Sequence, residues 1–101
     1  PLATSQIRSI YGEVLRIKSD WLDSRDDESG RKRKERAKRA LVLLRPKMAY
    51  RAKKEKGPCI KQLVDVLDPA VELVNNSDEN FRRFVDFFEA ILAYHKAHGG
   101  N

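Results

Sequence analysis

Apolar residues recur at intervals of three or four positions along most of this 101-residue chain, and that spacing restricts its fold more than any other feature. Residues 5 to about 22 carry Ile7, Ile10, Val14, Ile17 and Trp21, the spacing of an amphipathic helix. Similar series follow from about 31 into the low fifties, from about 60 to 74, and from 78 onward. No segment sustains the alternation typical of a strand. The sequence therefore predicts an all-α bundle of four to five helices.

Two prolines fall inside these predicted helices. A proline in a helix interior costs roughly 3 kcal/mol, because it removes a hydrogen bond and clashes with the preceding turn. The apolar series around Pro46 stays on one face only if the helical phase continues through it. Pro69 either kinks the third helix or begins a new short segment with Asp68 as its cap, and this choice separates four helices from five.

The chain is short enough to form one domain over residues 1–101, with a flexible acidic loop at about 23–30. Its apolar runs are shorter than the roughly 20 residues that span a bilayer, and the first residues lack a signal-peptide pattern. The single cysteine, Cys59, excludes an internal disulfide. These features predict a cytoplasmic protein with no membrane partner.

Signatures of catalysis are scarce. His95 and His98 lie three residues apart but have no second pair to complete a metal site, and Cys59 stands alone. His95 continues an apolar series, which favours a hydrogen-bonded histidine at the edge of the core. There is no glycine-rich phosphate loop. We therefore expect no enzymatic activity, no cofactor and no metal.

The positive charge is concentrated in the middle of the chain. Residues 31–56 contain 13 Lys or Arg and 2 acidic residues, whereas residues 1–30 and 57–101 have net charges of −2 and −3. Such a segment indicates a polyanionic partner, or else only a well-solvated helix surface.

The cations of the second predicted helix fall into a row. Lys47, Tyr50, Arg51 and Lys54 lie at i, i+3, i+4 and i+7, and Arg36 and Arg39 project toward roughly the same side. Cations with one aromatic among them suit a sugar-phosphate backbone. Because the row lacks a set of base-reading side chains, we expect binding without sequence preference.

Some apolar residues lie off the main series. Phe87 and Tyr94 form a second stripe on the last helix, and Val42 and Leu43 leave the main stripe of the second. A helix that is apolar nearly all round is either central to its bundle or packed against another molecule.

Three segments resemble the small subunit of the type III-A CRISPR effector (Csm) complex. They are "LATSQIRSIYGEV" near the start, "LLRPKMAYRAKK" in the middle and "FRRFVDFFEAILAYHKAHGG" at the end. The resemblance implies a helical bundle without catalytic activity, stacked in copies beside the backbone and large subunits and lining the target RNA along the guide RNA duplex.

The resemblance also implies which residues contact RNA, namely Arg8, Arg45, Lys47, Tyr50 and Arg51. Charge and spacing add Lys53 and Lys54, together with Arg36 and Arg39. Val42, Leu43, Phe87 and Tyr94 are then expected to contact a neighbouring copy or subunit. The alternatives are a helical protein-interaction module whose basic face meets acidic proteins, and a general DNA-binding bundle.

Overall fold

Four α-helices make up the computed structural model, which describes residues 4–55 and 58–98. The helices are α1 (Thr4–Leu22), α2 (Glu28–Lys54), α3 (Pro58–Val74) and α4 (Asp78–Ala97). These two stretches contain no strand. The predicted all-α class is therefore confirmed. None of the helices is both long enough and apolar enough to cross a membrane, as far as the described residues extend.

Neighbouring helices run antiparallel. Helix α1 packs against α2 and α4, and α3 packs against the same two helices. The Trp21 side chain, at the end of α1, donates a hydrogen bond to Asp78, at the start of α4. Gln6, at the start of α1, donates one to Glu55, just after the end of α2. Short connections between antiparallel neighbours give an up-down-up-down four-helix bundle.

The predicted apolar stripes form one core. Phe81 stacks on Trp21 with ring centroids 4.3 Å apart, and Tyr11 and Phe84 contact Phe88. The buried apolar residues are Ile7, Ile10, Val14, Ile17, Trp21, Ala37, Leu41, Leu44, Met48, Ile60, Leu63, Val64, Leu67, Val71, Val74, Phe81, Phe84, Val85 and Phe88. Since fully burying one large apolar side chain contributes about 1.5–3 kcal/mol, this core is the main stabilising feature of the fold.

Both interior prolines are accommodated without ending a helix. Leu44 and Met48 are buried on either side of Pro46, so the helical phase continues through it. Helix α3 likewise runs through Pro69 to Val74, so of the two alternatives left open at Pro69 the new segment capped by Asp68 is wrong. Both prolines are exposed, which leaves the carbonyl groups they free accessible to water.

The first connection is shorter than the predicted loop at about 23–30. Helix α2 begins at Glu28 because the Asp27 side chain accepts a hydrogen bond from the Gly30 amide at 2.7 Å, as an N-cap does. Gly30 is buried inside the first turn of α2. A Cβ atom at this position would overlap the backbone carbonyl of Arg25. The connection therefore covers residues 23–27 and packs directly against α2.

Asp78 joins three helices at the same end of the bundle. It accepts hydrogen bonds from Trp21 Nε1 at 2.7 Å and from Lys34 Nζ at 3.0 Å. The bond from Trp21, reinforced by that from Lys34, holds the pKa of Asp78 below its ordinary value. A carboxyl group with a lowered pKa stabilises the fold above its unfolded-state pKa, and this contribution is lost as the pH falls through the folded-state pKa.

Asp78→Asn is expected to lower the free energy of unfolding by about 1 kcal/mol at neutral pH, a figure reduced for the partial exposure of the carboxylate. The deficit relative to the parent should begin to shrink below about pH 4, where the unfolded parent takes up the proton, and should vanish as the pH falls through the lowered folded-state pKa of Asp78. Urea unfolding across a pH series measures it. Asp86→Asn is the control, because Asp86 is exposed and forms no ion pair with the described residues. A deficit for Asp78→Asn that did not change with pH would contradict this account.

Candidate nucleic-acid interface

The basic segment of the sequence is almost entirely contained in α2. Its buried residues Ala37, Leu41, Leu44 and Met48 face the core and thereby fix which side of the helix faces outward. Six of the exposed residues on that outward side lie within about 80° of one another by helical phase. We call them the outer line of α2: Arg36, Arg39, Leu43, Lys47, Tyr50 and Lys54. At about 1.5 Å per residue, the line is roughly 27 Å long.

The cations of the outer line are not neutralised within the fold. Arg36, Arg39, Lys47 and Lys54 form no ion pair with any described residue. Lys53, which lies beside the line, is also exposed and without an ion pair in the same residues. These charges therefore face solvent and are available to an external anion.

Other cations of α2 are used inside the bundle. Arg33 donates to Asp20 of α1 at 2.9 Å, and Lys34 donates to Asp78 of α4. The helix therefore carries two classes of cation, those on its flanks that bind neighbouring helices and those on its outer line.

Arg45 belongs to the flanking class. Its guanidinium donates to both carboxylate oxygens of Asp68 on α3, at 2.8 and 3.0 Å, and lies 3.6 Å from Glu72. The hydrogen bond from Arg45 lowers the pKa of Asp68. The expectation that Arg45 contacts RNA remains a prediction, and in the structure its guanidinium joins α2 to α3.

Arg51 and Arg8 also lie away from the outer line. Arg51 is half-buried and donates to Glu55 at 2.9 Å, near the seam with α1. Arg8 is exposed three positions before Tyr11, whose hydroxyl contacts Glu89 of α4. Since positions i and i+3 share a helix face, Arg8 lies on the α4 side of α1. Of the predicted RNA-contacting residues, the structure thus aligns Arg36, Arg39, Lys47, Tyr50 and Lys54.

The four residues predicted to contact another protein are all exposed. Val42 and Leu43 are 64% and 56% exposed, and Phe87 and Tyr94 are also open to solvent. Of the two explanations left open by the sequence, burial at the centre of the bundle is therefore wrong for these residues. Leu43 lies on the outer line among the cations, whereas the Tyr94 ring lies tilted against the His98 ring with centroids 4.2 Å apart.

Sequence reasoning missed part of the exposed apolar surface. Leu73 is 74% exposed and Val66 47%, and both line a shallow groove between α3 and α4 together with Phe87. Val66 and Leu73 are seven residues apart, a spacing that places both on one face of a helix. This spacing was the signal in the sequence that could have identified the second apolar face of α3. The groove extends the surface predicted from Phe87 onto α3.

The histidines form no recognisable metal site. Among the residues whose side chains are described, no group of three or more His, Cys, Asp or Glu side chains is positioned to hold a metal ion; the Cys59 side chain lies outside them. His95 was expected to form a hydrogen bond at the core edge. Its Nε2 atom is instead buried without a hydrogen-bond partner in the described part of the chain.

Comparison with known proteins supports the resemblance noted from the sequence. The family model described as Csm2 Type III-A matches residues 1–101, the whole length of the chain. No curated protein and no solved structure matches it significantly.

Proposed function

The chain belongs to the Csm2 family of small subunits of the type III-A CRISPR (Csm) complex, and from this premise we propose that its outer line binds the target RNA backbone. In this proposal the subunit has no catalytic activity and acts in the cytoplasm. It holds the target strand along the guide RNA duplex without reading its sequence.

The observation that carries the proposal is the row of cations without ion pairs on α2. Arg36, Arg39, Lys47 and Lys54 present their charges along one exposed side of a single helix. Each phosphate contact displaces condensed counterions, so log K falls with log salt by about 0.7 per contact on a single strand. Tyr50, on the same line, supplies a phenol that can stack on a base or donate to a phosphate.

A few phosphate contacts per chain give weak binding at physiological salt. Several copies side by side along one strand would bind it tightly, since each later contact is intramolecular. Stacking requires protein-facing surfaces, and the exposed groove formed by Val66, Leu73 and Phe87 supports such a role on α3 and α4. We therefore assign this groove to other copies or to the backbone and large subunits.

A second candidate function is supported by one residue. Leu43 is apolar and exposed at the centre of the outer line, which suits a protein partner with an apolar centre and an acidic rim. The two functions predict different consequences for RNA affinity and complex assembly when Leu43 becomes charged.

Leu43→Lys is expected to tighten binding of single-stranded RNA about four-fold at physiological salt and to steepen the salt slope by about 0.7, because it adds one phosphate contact. Fluorescence anisotropy of a labelled RNA across a salt titration measures both. Val42→Lys adds the same charge about 100° away on the helix and should leave the slope unchanged. An unchanged RNA affinity for Leu43→Lys, together with its failure to enter the reconstituted complex, would favour the protein-interaction function.

A further inference from the structure

A second group of cations converges where the connection between α1 and α2 meets the start of α4. They line a cleft of about 550 Å³ together with the buried residues Trp21 and Gly30. The cationic residues of its lining are Arg25, Arg31, Lys34, Lys38 and Arg82. They come from the connection, from α2 and from α4, and none belongs to the outer line.

The charges of this cleft do not cancel. Three carboxylates share the lining, namely those of Asp26, Glu35 and Asp78. Lys34 pairs with Asp78 at 3.0 Å, and Lys38 lies 3.6 Å from Glu35. The three guanidinium groups, those of Arg25, Arg31 and Arg82, form no ion pair with the described residues. With five cations and three carboxylates, the cleft has a net charge of +2.

The walls of the cleft are fixed by the packing of the fold. The backbone of Arg25 lies directly against Gly30, and Asp27 caps the same turn of α2. Trp21 is held by its hydrogen bond to Asp78, and Lys38 lies over the Trp21 ring at 5.6 Å from the centroid. An anion that binds here therefore meets cations whose backbones are already positioned.

We propose that this cleft binds a phosphoryl group, with Arg25, Arg31 and Arg82 as the donors. Guanidinium groups present pairs of N–H donors that match the oxygens of a phosphate, and their charge does not depend on pH in the physiological range. The net charge of +2 suits a doubly charged phosphate. The phosphoryl group can come from an RNA strand or from a free nucleotide or polyphosphate.

The test measures the binding of pyrophosphate, used as the probe, to the full chain. Arginine Nε–Hε signals are followed by two-dimensional NMR at constant ionic strength for the parent and for Arg25→Gln/Arg31→Gln/Arg82→Gln. In the parent, the signals of these three arginines should shift saturably. Because charge-assisted hydrogen bonds are lost, the cleft variant should bind pyrophosphate roughly ten-fold more weakly. Its dissociation constant is obtained from the chemical-shift changes of the backbone amide signals around Gly30.

The control variant Arg16→Gln/Lys61→Gln/Lys96→Gln removes three exposed cations that do not line the cleft, and it should bind pyrophosphate as the parent does. Equal affinity in the cleft variant and the parent, or shifts that never saturate, would overturn the proposal. Variants of the outer line should not change these shifts, so this test is independent of the proposed RNA-binding function.

A second measurement identifies the source of the phosphoryl group. Weaker RNA binding by the cleft variant in the reconstituted complex, with a shallower salt slope, would assign the site to the RNA backbone. Unchanged RNA binding combined with lost pyrophosphate binding would assign it to free phosphoryl compounds. Both results support the cleft as a phosphoryl site.

Discussion

Replacing Arg39, Lys47 and Lys54 together by Gln is expected to make the salt slope of RNA binding shallower by about 2 and to weaken binding roughly 50-fold at about 0.15 M salt, because three phosphate contacts are lost. The three residues are exposed and form no ion pair with the described residues. Their removal should therefore leave the free energy of unfolding within about 0.5 kcal/mol per substitution.

Anisotropy of a labelled single-stranded RNA across a salt titration measures this effect, with circular dichroism to verify folding. The variant Arg16→Gln/Lys61→Gln/Lys96→Gln has the same net charge and serves as the matched control. If both variants lose affinity equally, binding depends on net charge alone and the outer line has no special role. A parent-like slope in the outer-line variant would place the RNA elsewhere on the molecule.

Gly30→Ala is expected to destabilise the protein by about 2 kcal/mol, although alanine is the better helix former by about 1 kcal/mol. The added Cβ would overlap the carbonyl oxygen of Arg25, which is a backbone atom and cannot move without displacing the connection. Displacement of the connection would also weaken the Asp27 cap on the first turn of α2.

Gly12→Ala is the matched control, because Gly12 also lies within a helix and an added Cβ there would meet no atom within 4 Å outside the adjoining backbone of α1 and the two neighbouring residues. This variant should be more stable than the parent by about 0.5–1 kcal/mol, as helix propensity alone predicts. Urea unfolding measures the free energy of unfolding of both variants, which should fall for Gly30→Ala and rise for Gly12→Ala. Stabilisation by Gly30→Ala would show that the connection is not packed as described.

Local periodicity made the helices and core predictable. Ile7 to Trp21 and Phe81 to Phe88 occupy the predicted stripes because each pattern needs only the helix repeat. Whether α3 continues through Pro69 was not predictable, because a helix tolerates an interior proline only where solvation and tertiary packing allow it. The sequence predicted that α2 begins at about residue 31, after Gly30, because glycine is unfavourable within a helix. The structure includes Gly30 in the first turn, where close packing against Arg25 leaves no room for a side chain.

The candidate interface was predictable only in part. Periodicity aligned Lys47, Tyr50 and Lys54 correctly, because they share a single helix. It also placed Arg51 in the row, although the i,i+4 spacing of Arg51 and Glu55 was a local signal for their ion pair. It gave no information on Arg45, whose partner Asp68 lies on another helix and depends on tertiary packing. The convergence of Arg25, Arg31 and Arg82 joins residues up to 57 positions apart, and no local pattern indicates it.

The outer line of α2 also has a consequence for the energetics of the free subunit. Arg36 and Arg39 of this line are three residues apart, a spacing at which like charges on a helix repel by about 0.2–0.5 kcal/mol. A bound polyanion would relieve this repulsion, and a ligand that binds only the folded state stabilises it. We therefore expect the folding of α2 and the binding of the RNA strand to be thermodynamically linked. The free energy of unfolding of the subunit should then be greatest when a polyanion is bound to the outer line.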